Sequence, residues 1–265
     1  MNLAGKTVVL TGAAGGIGCA IAQTLSALGA RLILVGRDPT RLEQLRVSLP
    51  GTEHLAVAAD LATGEGRQQV AGACASGVDI LVNAAGVNYF GLLQDQSEQQ
   101  IVAMLQINTV APILLTQLLL PVLTASKGTV INVGSGFGSI GFAGYCGYSA
   151  SKFALRGFSE ALRRELSGTG VDVLYLAPRA VDTAMNSEQV VGMNAELGNK
   201  ADSPQTVAQE LLRQLESAQP RRFLGWPERF FVKLNALFPS IVDSALAKQL
   251  PVIRKWALAG SSAAG

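Results

Sequence analysis

The chain has 265 residues, of which 49% are hydrophobic and 15% are charged, and its formal net charge at pH 7 is +2. The small net charge and short Lys/Arg runs argue against nucleic-acid binding, and three widely spaced cysteines with one histidine argue against a metal site or a disulfide framework. The length suits one large α/β core, and the cysteine usage is typical of a cytoplasmic protein.

Short apolar segments alternate with segments of helical length along the chain. The predicted strands are KTVVLTG, RLILVG, HLAVAAD, VDILVNAAG, GTVINVGS, VDVLYLAP and RRFLG, and clear helical segments are GIGCAIAQTLSALG, PTRLEQLRVSL and SPQTVAQELLRQLES. This alternation predicts an α/β fold, a doubly wound Rossmann-type parallel sheet of about seven strands with helices on both faces. Ligands of such sheets bind beyond the carboxyl ends of the strands.

The first predicted strand runs into TGAAGGIG, residues 11–18, and then into a helix. This is the context that a dinucleotide-binding loop requires, although a glycine-rich turn can also be merely a turn. Gly12, Gly16 and Gly18 allow a sharp turn and a close approach to a pyrophosphate, whose charge is favoured at the amino end of a helix. We therefore predict that this loop holds the phosphates of a dinucleotide.

The end of the second strand, LILVGRDP, bears on which cofactor is used. An acidic side chain here would bind a ribose 2′-hydroxyl, whereas an arginine would accept a 2′-phosphate, and the sequence offers both Arg37 and Asp38. Asp38 precedes Pro39, so it is expected to cap the next helix. Arg37 is then available for phosphate, which predicts NADP in preference to NAD.

Residues 99–126 carry no charge and are numerous enough to span a bilayer. The run also contains several Gln and Asn residues and two prolines. This composition favours a helix buried inside a globular protein.

A tyrosine stands four residues before a lysine in GYSASKFAL, residues 147–155. Residues i and i+4 share one face of a helix, so the Lys152 ammonium is expected near the Tyr148 phenol. A nearby positive charge lowers a phenol pKa that is about 10 in water. The pair predicts a proton donor and acceptor, although lysine is common enough for such a pair to arise by chance.

Four further segments extend the pattern. Asp60 lies in AADL, residues 83–86 read NAAG, Asn108 lies in the uncharged run, and Ser135 stands thirteen residues before Tyr148. Together with TGAAGGIG and YSASK, these segments resemble the short-chain dehydrogenase/reductase family in its compact single-domain form, over about residues 3–225.

The resemblance implies reversible hydride transfer between a nicotinamide cofactor and a carbonyl or alcohol substrate. Tyr148 is then the proton donor, Ser135 polarises the carbonyl oxygen, and Lys152 lowers the tyrosine pKa and binds the ribose hydroxyls. Asn108 completes the catalytic set and is expected to bind a relay water. The implied cofactor-binding residues are Gly12, Ala14, Gly15, Gly16, Ile17, Gly18, Arg37, Asp60, Leu61, Asn83, Ala84, Gly86, Tyr148, Lys152, Pro178, Val181 and Thr183.

Two positions depart from the family pattern. Ala84 stands in place of the second asparagine of NNAG, and Arg179 stands where a glycine commonly follows Pro178. Arg179 faces either the nicotinamide side of the pocket or the solvent. The resemblance still implies that Thr183 bonds the carboxamide and that Val181 packs against apolar neighbours.

Two other functions compete with the dehydrogenase interpretation. Longer relatives that epimerise or dehydrate nucleotide sugars share YxxxK, but their glycine loop and their larger substrate domain differ from this chain. A non-catalytic NADP-binding sensor would keep the fold without turnover. The complete set of Asn, Ser, Tyr and Lys favours the enzyme, as a homodimer or homotetramer acting on a small molecule.

The last part of the chain exceeds the family core. We expect residues 1–225 to form the dinucleotide-binding and catalytic domain, residues 184–202 to form a flap over the pocket, and residues 226–265 to form an apolar helical extension packed on the domain. In the extension, Phe230, Leu234, Leu237 and Phe238 recur at helical spacing, with Arg229, Lys233, Lys248 and Trp256 among them. These side chains either pack on the domain or a second subunit, or contact a membrane peripherally and admit a lipophilic substrate.

Overall fold

The structure is a computed structural model that describes residues 2–261. Seven strands form one sheet within these residues: β1 (Thr7–Thr11), β2 (Arg31–Gly36), β3 (Leu55–Ala58), β4 (Ile80–Asn83), β5 (Thr129–Val133), β6 (Asp172–Ala177) and β7 (Arg221–Phe223). All neighbouring strands are parallel, in the order β3-β2-β1-β4-β5-β6-β7. The predicted doubly wound sheet is confirmed, and its strand order reverses between β1 and β4, which is where such sheets bind ligands.

Helices separate the strands and continue after the last one. They are α1 (Gly16–Ser26), α2 (Pro39–Ser48), α3 (Gly64–Ala73), α4 (Glu98–Leu105), α5 (Ala111–Ser126), α6 (Cys146–Glu165), α7 (Glu188–Glu196), α8 (Pro204–Ser217), α9 (Trp226–Leu237), α10 (Pro239–Ala247) and α11 (Leu250–Ser261). Asp38 caps α2 as predicted, because its carboxylate accepts a hydrogen bond from the Arg41 amide at 3.0 Å. A π-helical turn, Gln106–Val110, joins α4 to α5.

Successive strand residues face opposite layers of the core, as the pleat of a strand requires. On one face, Leu10 and Leu34 pack with Leu25 of α1 and Leu211 of α8. The alternate residues on the other face pack with α3 and α5. Both faces of the sheet are therefore buried, which is why its strands are continuous apolar runs rather than alternating ones.

Helices α4 and α5, with the π-helical turn between them, form one continuous helix that is long and apolar enough to cross a membrane by length and composition alone. It covers 29 residues, Glu98–Ser126, with a mean hydropathy of 1.6 over its most apolar window. Leu115, Leu119 and Leu123, spaced one turn apart, are buried against the sheet in the same layer as Val9 and Val130. Core helices of globular proteins share this composition, and here the sheet accounts for the apolar face.

Helices α9, α10 and α11 form the extension, and residues 262–265 of the predicted segment lie outside the described residues. Each of the three helices buries one branched aliphatic side chain: Val232, Val242 and Ile253. Most other large apolar side chains of α9 and α10 remain exposed. The division of the chain after residue 225 stays a prediction.

Candidate active site

The glycine loop after β1 fits closely against its neighbours. Gly12 has a φ of +67°, and a Cβ there would lie 2.8 Å from the Ala85 Cα. A Cβ at Gly16 would lie 2.8 Å from Thr183 Cγ2, and one at Gly18 would overlap the backbone of Gly12. The loop requires glycine at these positions because backbone atoms lie too close to Gly12 and Gly18, and the Thr183 side chain lies too close to Gly16, for a Cβ to fit.

Helix α1 begins directly in this loop, with Gly15 as its N-cap. Its first turn carries no acidic side chain, so the partial positive charge of the helix end is not neutralised locally. Ala14 and Ile17 are half-buried beside the loop. A pyrophosphate fits the charge and the shape of this cradle.

Arg37, at the end of β2, is exposed, and its neighbour Asp38 is committed to the cap of α2. The structure adds Arg41, whose Nη2 donates to the Ala14 carbonyl at 2.9 Å and so lies at the glycine loop. Sequence reasoning missed Arg41, although its spacing of four residues from Arg37 is a visible signal. Arg41 therefore contacts the glycine loop, and Arg37 directly follows β2.

Asp60 lies just beyond β3, and its Oδ1 accepts from the Ala62 amide at 2.9 Å. The carboxylate is at the surface, whereas the neighbouring Leu61 is buried. This arrangement leaves Asp60 accessible to an adenine and gives Leu61 a packing role.

The side chain of Asn83 makes its hydrogen bonds inside the protein. It is buried at the end of β4, where its amide donates to Asn132 Oδ1 at 2.9 Å and to Thr116 Oγ1 at 3.2 Å. The next residue, Ala84, donates its amide to Thr11 Oγ1 at 3.0 Å. The Asn83 amide nitrogen thus bonds to β5 and α5, whereas its buried Oδ1 has no hydrogen-bond partner among the described residues. A cofactor contact at Asn83 stays a prediction.

Ser135 and Tyr148 meet although thirteen residues separate them, because β5 ends beside the start of α6. Burial raises the pKa of the Tyr148 phenol, and its hydrogen bond with the Ser135 side chain lowers it by less. Ser135 Oγ also accepts from the Phe137 amide at 3.1 Å. The predicted lowering of the tyrosine pKa is therefore wrong in direction, since desolvation of the phenolate outweighs the opposing effect.

Lys152 is buried, with its Nζ 5.7 Å from the Tyr148 ring centre. The ammonium donates to the Val133 carbonyl at 3.0 Å, and a Cβ at Gly86 would lie 3.8 Å from it. Burial lowers the pKa of Lys152 to about 8. The lysine thus lies between the tyrosine and the loop after β4. Its ammonium has three N–H donors, and the Val133 carbonyl accepts from one of them.

The side chain of Asn108 makes several hydrogen bonds inside the protein. It is fully buried in the π-helical turn, where its amide oxygen accepts from the Val87 amide at 2.8 Å. Its amide nitrogen donates to the Val87 carbonyl at 2.9 Å and to Ser151 Oγ at 3.0 Å. These hydrogen bonds tie the loop after β4 to α6, and the relay water at Asn108 stays a prediction.

Arg179 is half-buried and pairs with acidic side chains. Its Nε and Nη2 donate to the two carboxylate oxygens of Asp202 at 3.0 and 2.6 Å, and Glu228 of α9 lies 3.7 Å from its Nη1. The Asp202 amide also donates to the Ala180 carbonyl at 2.8 Å. This bidentate pair fastens the end of the flap, residues 184–202, to the turn after β6.

The other predicted residues of this turn lie near the glycine loop. Pro178 is buried and its carbonyl accepts from the Gly136 amide at 2.9 Å, while Val181 is buried in the core. Thr183 is half-buried and contacts the position of Gly16. The turn therefore keeps its approach to the cradle despite the arginine.

An aromatic cluster packs around the Tyr148 ring. We define it as Phe90, Phe137, Phe142, Tyr145 and Tyr148. The Tyr148 ring centre lies 6.1 Å from that of Tyr145 and 6.5 Å from that of Phe137, both edge to face. The phenol thus separates a polar region at Ser135 and Lys152 from an apolar region.

Comparisons with known proteins agree with this geometry. Residues 6–193 match the family model described as short chain dehydrogenase. Carbonyl reductase family member 4 of Danio rerio is 32% identical over 219 residues, which are 80% of this chain and 92% of that protein. Dehydrogenase/reductase SDR family member 7B of Bos taurus is 31% identical over 270 residues, covering 94% of this chain and 82% of that protein. A short chain dehydrogenase from Burkholderia cenocepacia J2315, solved in complex with NADP, has a TM-score of 0.80 at 22% identity, covering 93% of this chain and 99% of its own.

Proposed function

Because the chain belongs to the short-chain dehydrogenase family, we propose that it transfers hydride between NADP and a lipophilic carbonyl or alcohol substrate. The chain is an oxidoreductase of the NAD(P)-dependent type. The observation that carries the proposal is the meeting of Ser135, Tyr148 and Lys152 beside the glycine loop.

The mechanism assigns one task to each side chain. The bound nicotinamide supplies the hydride in the reductive direction. Tyr148, whose pKa is raised by burial, is protonated at neutral pH and donates its proton to the carbonyl oxygen. Ser135 hydrogen-bonds to the same oxygen and stabilises the charge that develops on it. Lys152 uses its remaining N–H groups to hold the ribose hydroxyls.

A panel of carbonyl compounds tests this reaction. We expect the absorbance of NADPH to fall when the protein is mixed with apolar ketones or aldehydes, and little change with charged ones. The competing function is a non-catalytic NADP-binding sensor. Tight NADPH binding without turnover on the whole panel would favour the sensor and contradict the proposed reaction.

The preference for NADP is supported by Arg41, which contacts the glycine loop, by the exposed Arg37 after β2, and by Asp38, whose carboxylate caps α2. The Burkholderia relative of the same fold was solved with NADP. A guanidinium binds a 2′-phosphate bidentately and offers no comparable contact to a 2′-hydroxyl.

Arg37→Ala is expected to weaken NADPH binding by about 1.5 kcal/mol, roughly tenfold, and to leave NADH binding nearly unchanged. Fluorescence titration with the two cofactors measures the difference. Arg46→Ala is the matched control, because Arg46 lies at the far end of α2 and pairs with Glu43. Equal losses for NADPH and NADH would show that Arg37 is structural.

A lipophilic substrate is supported by the aromatic cluster beside Tyr148, because its side chains offer apolar area to the body of the substrate and no charge. The extension supports the same substrate class, because a peripheral membrane contact would admit a lipophilic substrate. Five Lys and Arg and two Asp and Glu lie after residue 225, against 16 and 17 before it, so the net positive charge of the chain resides in the extension.

We propose that α9 and α10 contact an anionic membrane surface while the protein is otherwise cytoplasmic. Several large apolar side chains of these helices are exposed, from 42% for Phe231 to 77% for Trp226; they are Trp226, Phe230, Phe231, Leu237, Phe238 and Ile241. Arg229, Lys233 and Lys248 are also exposed on these helices and just beyond. Trp256 does not belong to this surface, in contrast to the expectation from sequence, because its indole bonds to Glu196 of α7. Aromatic side chains flanked by cations are the composition that binds anionic lipid.

Intact protein is expected to sediment with phosphatidylserine vesicles at low salt. Replacing both Trp226 and Phe230 with Ser should lower this partitioning by about tenfold or more, because each ring would lose its burial in lipid. Val47→Ser, which removes a side chain that is 65% exposed on α2, is the control. If the intact protein does not sediment with these vesicles, the extension has no role at a membrane.

We also propose a homodimer or homotetramer. Val102, Leu105 and Phe153 are exposed apolar side chains on the adjacent helices α4 and α6, which supports a self-associating surface. Light scattering on the purified protein measures the assembly, and a monomeric mass at micromolar concentration would contradict it.

A further inference from the structure

The last helix, α11, is attached to the flap helix α7. The Trp256 ring lies directly over Gly192, where any side chain would overlap it. Trp256 Nε1 and Lys255 Nζ both donate to Glu196 Oε2, at 2.8 and 2.7 Å. The Glu196 carboxylate of α7 therefore binds two consecutive residues of α11. The Trp256 indole covers the backbone of α7 at Gly192.

The same helix reaches the aromatic cluster. Ile253 is fully buried, with its Cγ2 3.2 Å from where a Cβ at Gly144 would lie, and the Phe90 ring is 2.6 Å from that position. Val190 and Met193 of α7 are buried in this group as well. Side chains of α7 and α11 thus pack in the same apolar cluster as the Tyr148 ring.

We propose that α11 forms the outer wall of the substrate pocket, with Ile253 and Trp256 as specificity-determining residues. Trp256 holds the flap helix against the aromatic cluster, and Ile253 limits the length of an apolar substrate that extends from Tyr148. The substrate class is a carbonyl or alcohol with an apolar body, its oxygen at Ser135 and Tyr148. The specificity role rests on the proposed function, which supplies the substrate. The attachment of α7 to α11 rests only on the contacts between the two helices.

Two substitutions test the attachment of the flap from its two sides. Trp256→Ala removes the indole, and Gly192→Ala introduces a methyl group that must displace it. Trp226→Ala is the matched control, because Trp226 is the other tryptophan of the chain and lies exposed on α9. Trp256→Phe keeps a ring over Gly192 and removes only the hydrogen bond to Glu196.

Amide hydrogen exchange over residues 188–196 is the direct readout. Trp256→Ala and Gly192→Ala are each expected to speed this exchange by about tenfold or more, since the contacts that oppose local opening are lost. Trp226→Ala should exchange these amides at the wild-type rate. Trp256→Phe should exchange them at a rate between those of the wild type and Trp256→Ala. Unchanged exchange in both Trp256→Ala and Gly192→Ala overturns the inference.

Steady-state kinetics on carbonyl compounds of increasing length give the second readout. We expect Trp256→Ala to raise KM for long apolar substrates by about tenfold, with kcat on the smallest substrate and the Kd of NADPH near wild type. Ile253→Ala should shift the preference toward longer substrates. An unaltered length preference in both variants, in an enzyme that does turn over, overturns the specificity role. Faster exchange in a protein that turns over no carbonyl compound would instead overturn the proposed function and uphold the attachment of the flap.

Discussion

Tyr148→Phe is expected to lower turnover by about 100-fold or more, the scale of general acid catalysis, while NADPH binding is retained. The variant keeps the ring that packs edge to face on Tyr145 and Phe137, so the pocket keeps its shape. Only the hydroxyl that bonds with Ser135 is lost. Single-turnover kinetics with NADPH in excess separate this loss from slow product release.

Tyr145→Phe is the matched control for this prediction. Tyr145 belongs to the same aromatic cluster, and burial raises the pKa of its phenol, which hydrogen-bonds with Asn88 rather than with Ser135. Its phenol therefore serves packing, and we expect turnover in Tyr145→Phe within about tenfold of wild type. If Tyr148→Phe also stayed within tenfold, Tyr148 would not be the proton donor.

Lys152→Met is expected to change how stability depends on pH. The pKa of Lys152 falls from an ordinary 10.5 to about 8 on folding because burial penalises the ammonium. Between these two pH values the unfolded chain holds the proton that the folded chain has released, so the wild type gains stability as pH rises. The gain approaches about 3 kcal/mol at pH 10.5 relative to its value below pH 8.

Urea denaturation at several pH values measures this gain. Lys152→Met has no ammonium to bury, so its free energy of unfolding should lack the rise between pH 8 and 10.5, while the other titrating groups contribute equally to both proteins. Lys200→Met, at an exposed position of the flap, is the control and should follow the wild type. Parallel curves for wild type and Lys152→Met would refute the lowered pKa.

Interactions between near neighbours in sequence were predictable. The seven predicted segments correspond to the seven strands. The five strands between the two edge strands are continuous apolar runs, because a strand buried on both faces needs an apolar side chain at nearly every position. The Asp38 cap and the placement of Tyr148 and Lys152 one helical turn apart follow from spacings of three and four residues. The glycine loop was recognisable because its backbone geometry requires residues without a side chain.

Interactions between distant residues were decided only by the tertiary structure. Arg179 meets Asp202 across 23 residues, and Trp256 meets Glu196 across 60. Neither pair shares an element or a periodicity, so no pattern along the chain marks one residue as the partner of the other. The same holds for Asn108, whose buried amide finds Val87 and Ser151 only once the strands and helices are packed.

The sequence by itself determined the fold class and the residue types of the reaction, since both depend on local periodicity and on chemical identity. The electrostatic state of those residues depends on burial. Tyr148 and Lys152 were correctly paired, but the direction of the tyrosine pKa follows from how much protein surrounds the phenol, which favours its neutral form. Spacing places two groups near each other, whereas the free energy of their charges is set by the solvent that the whole fold removes from around them.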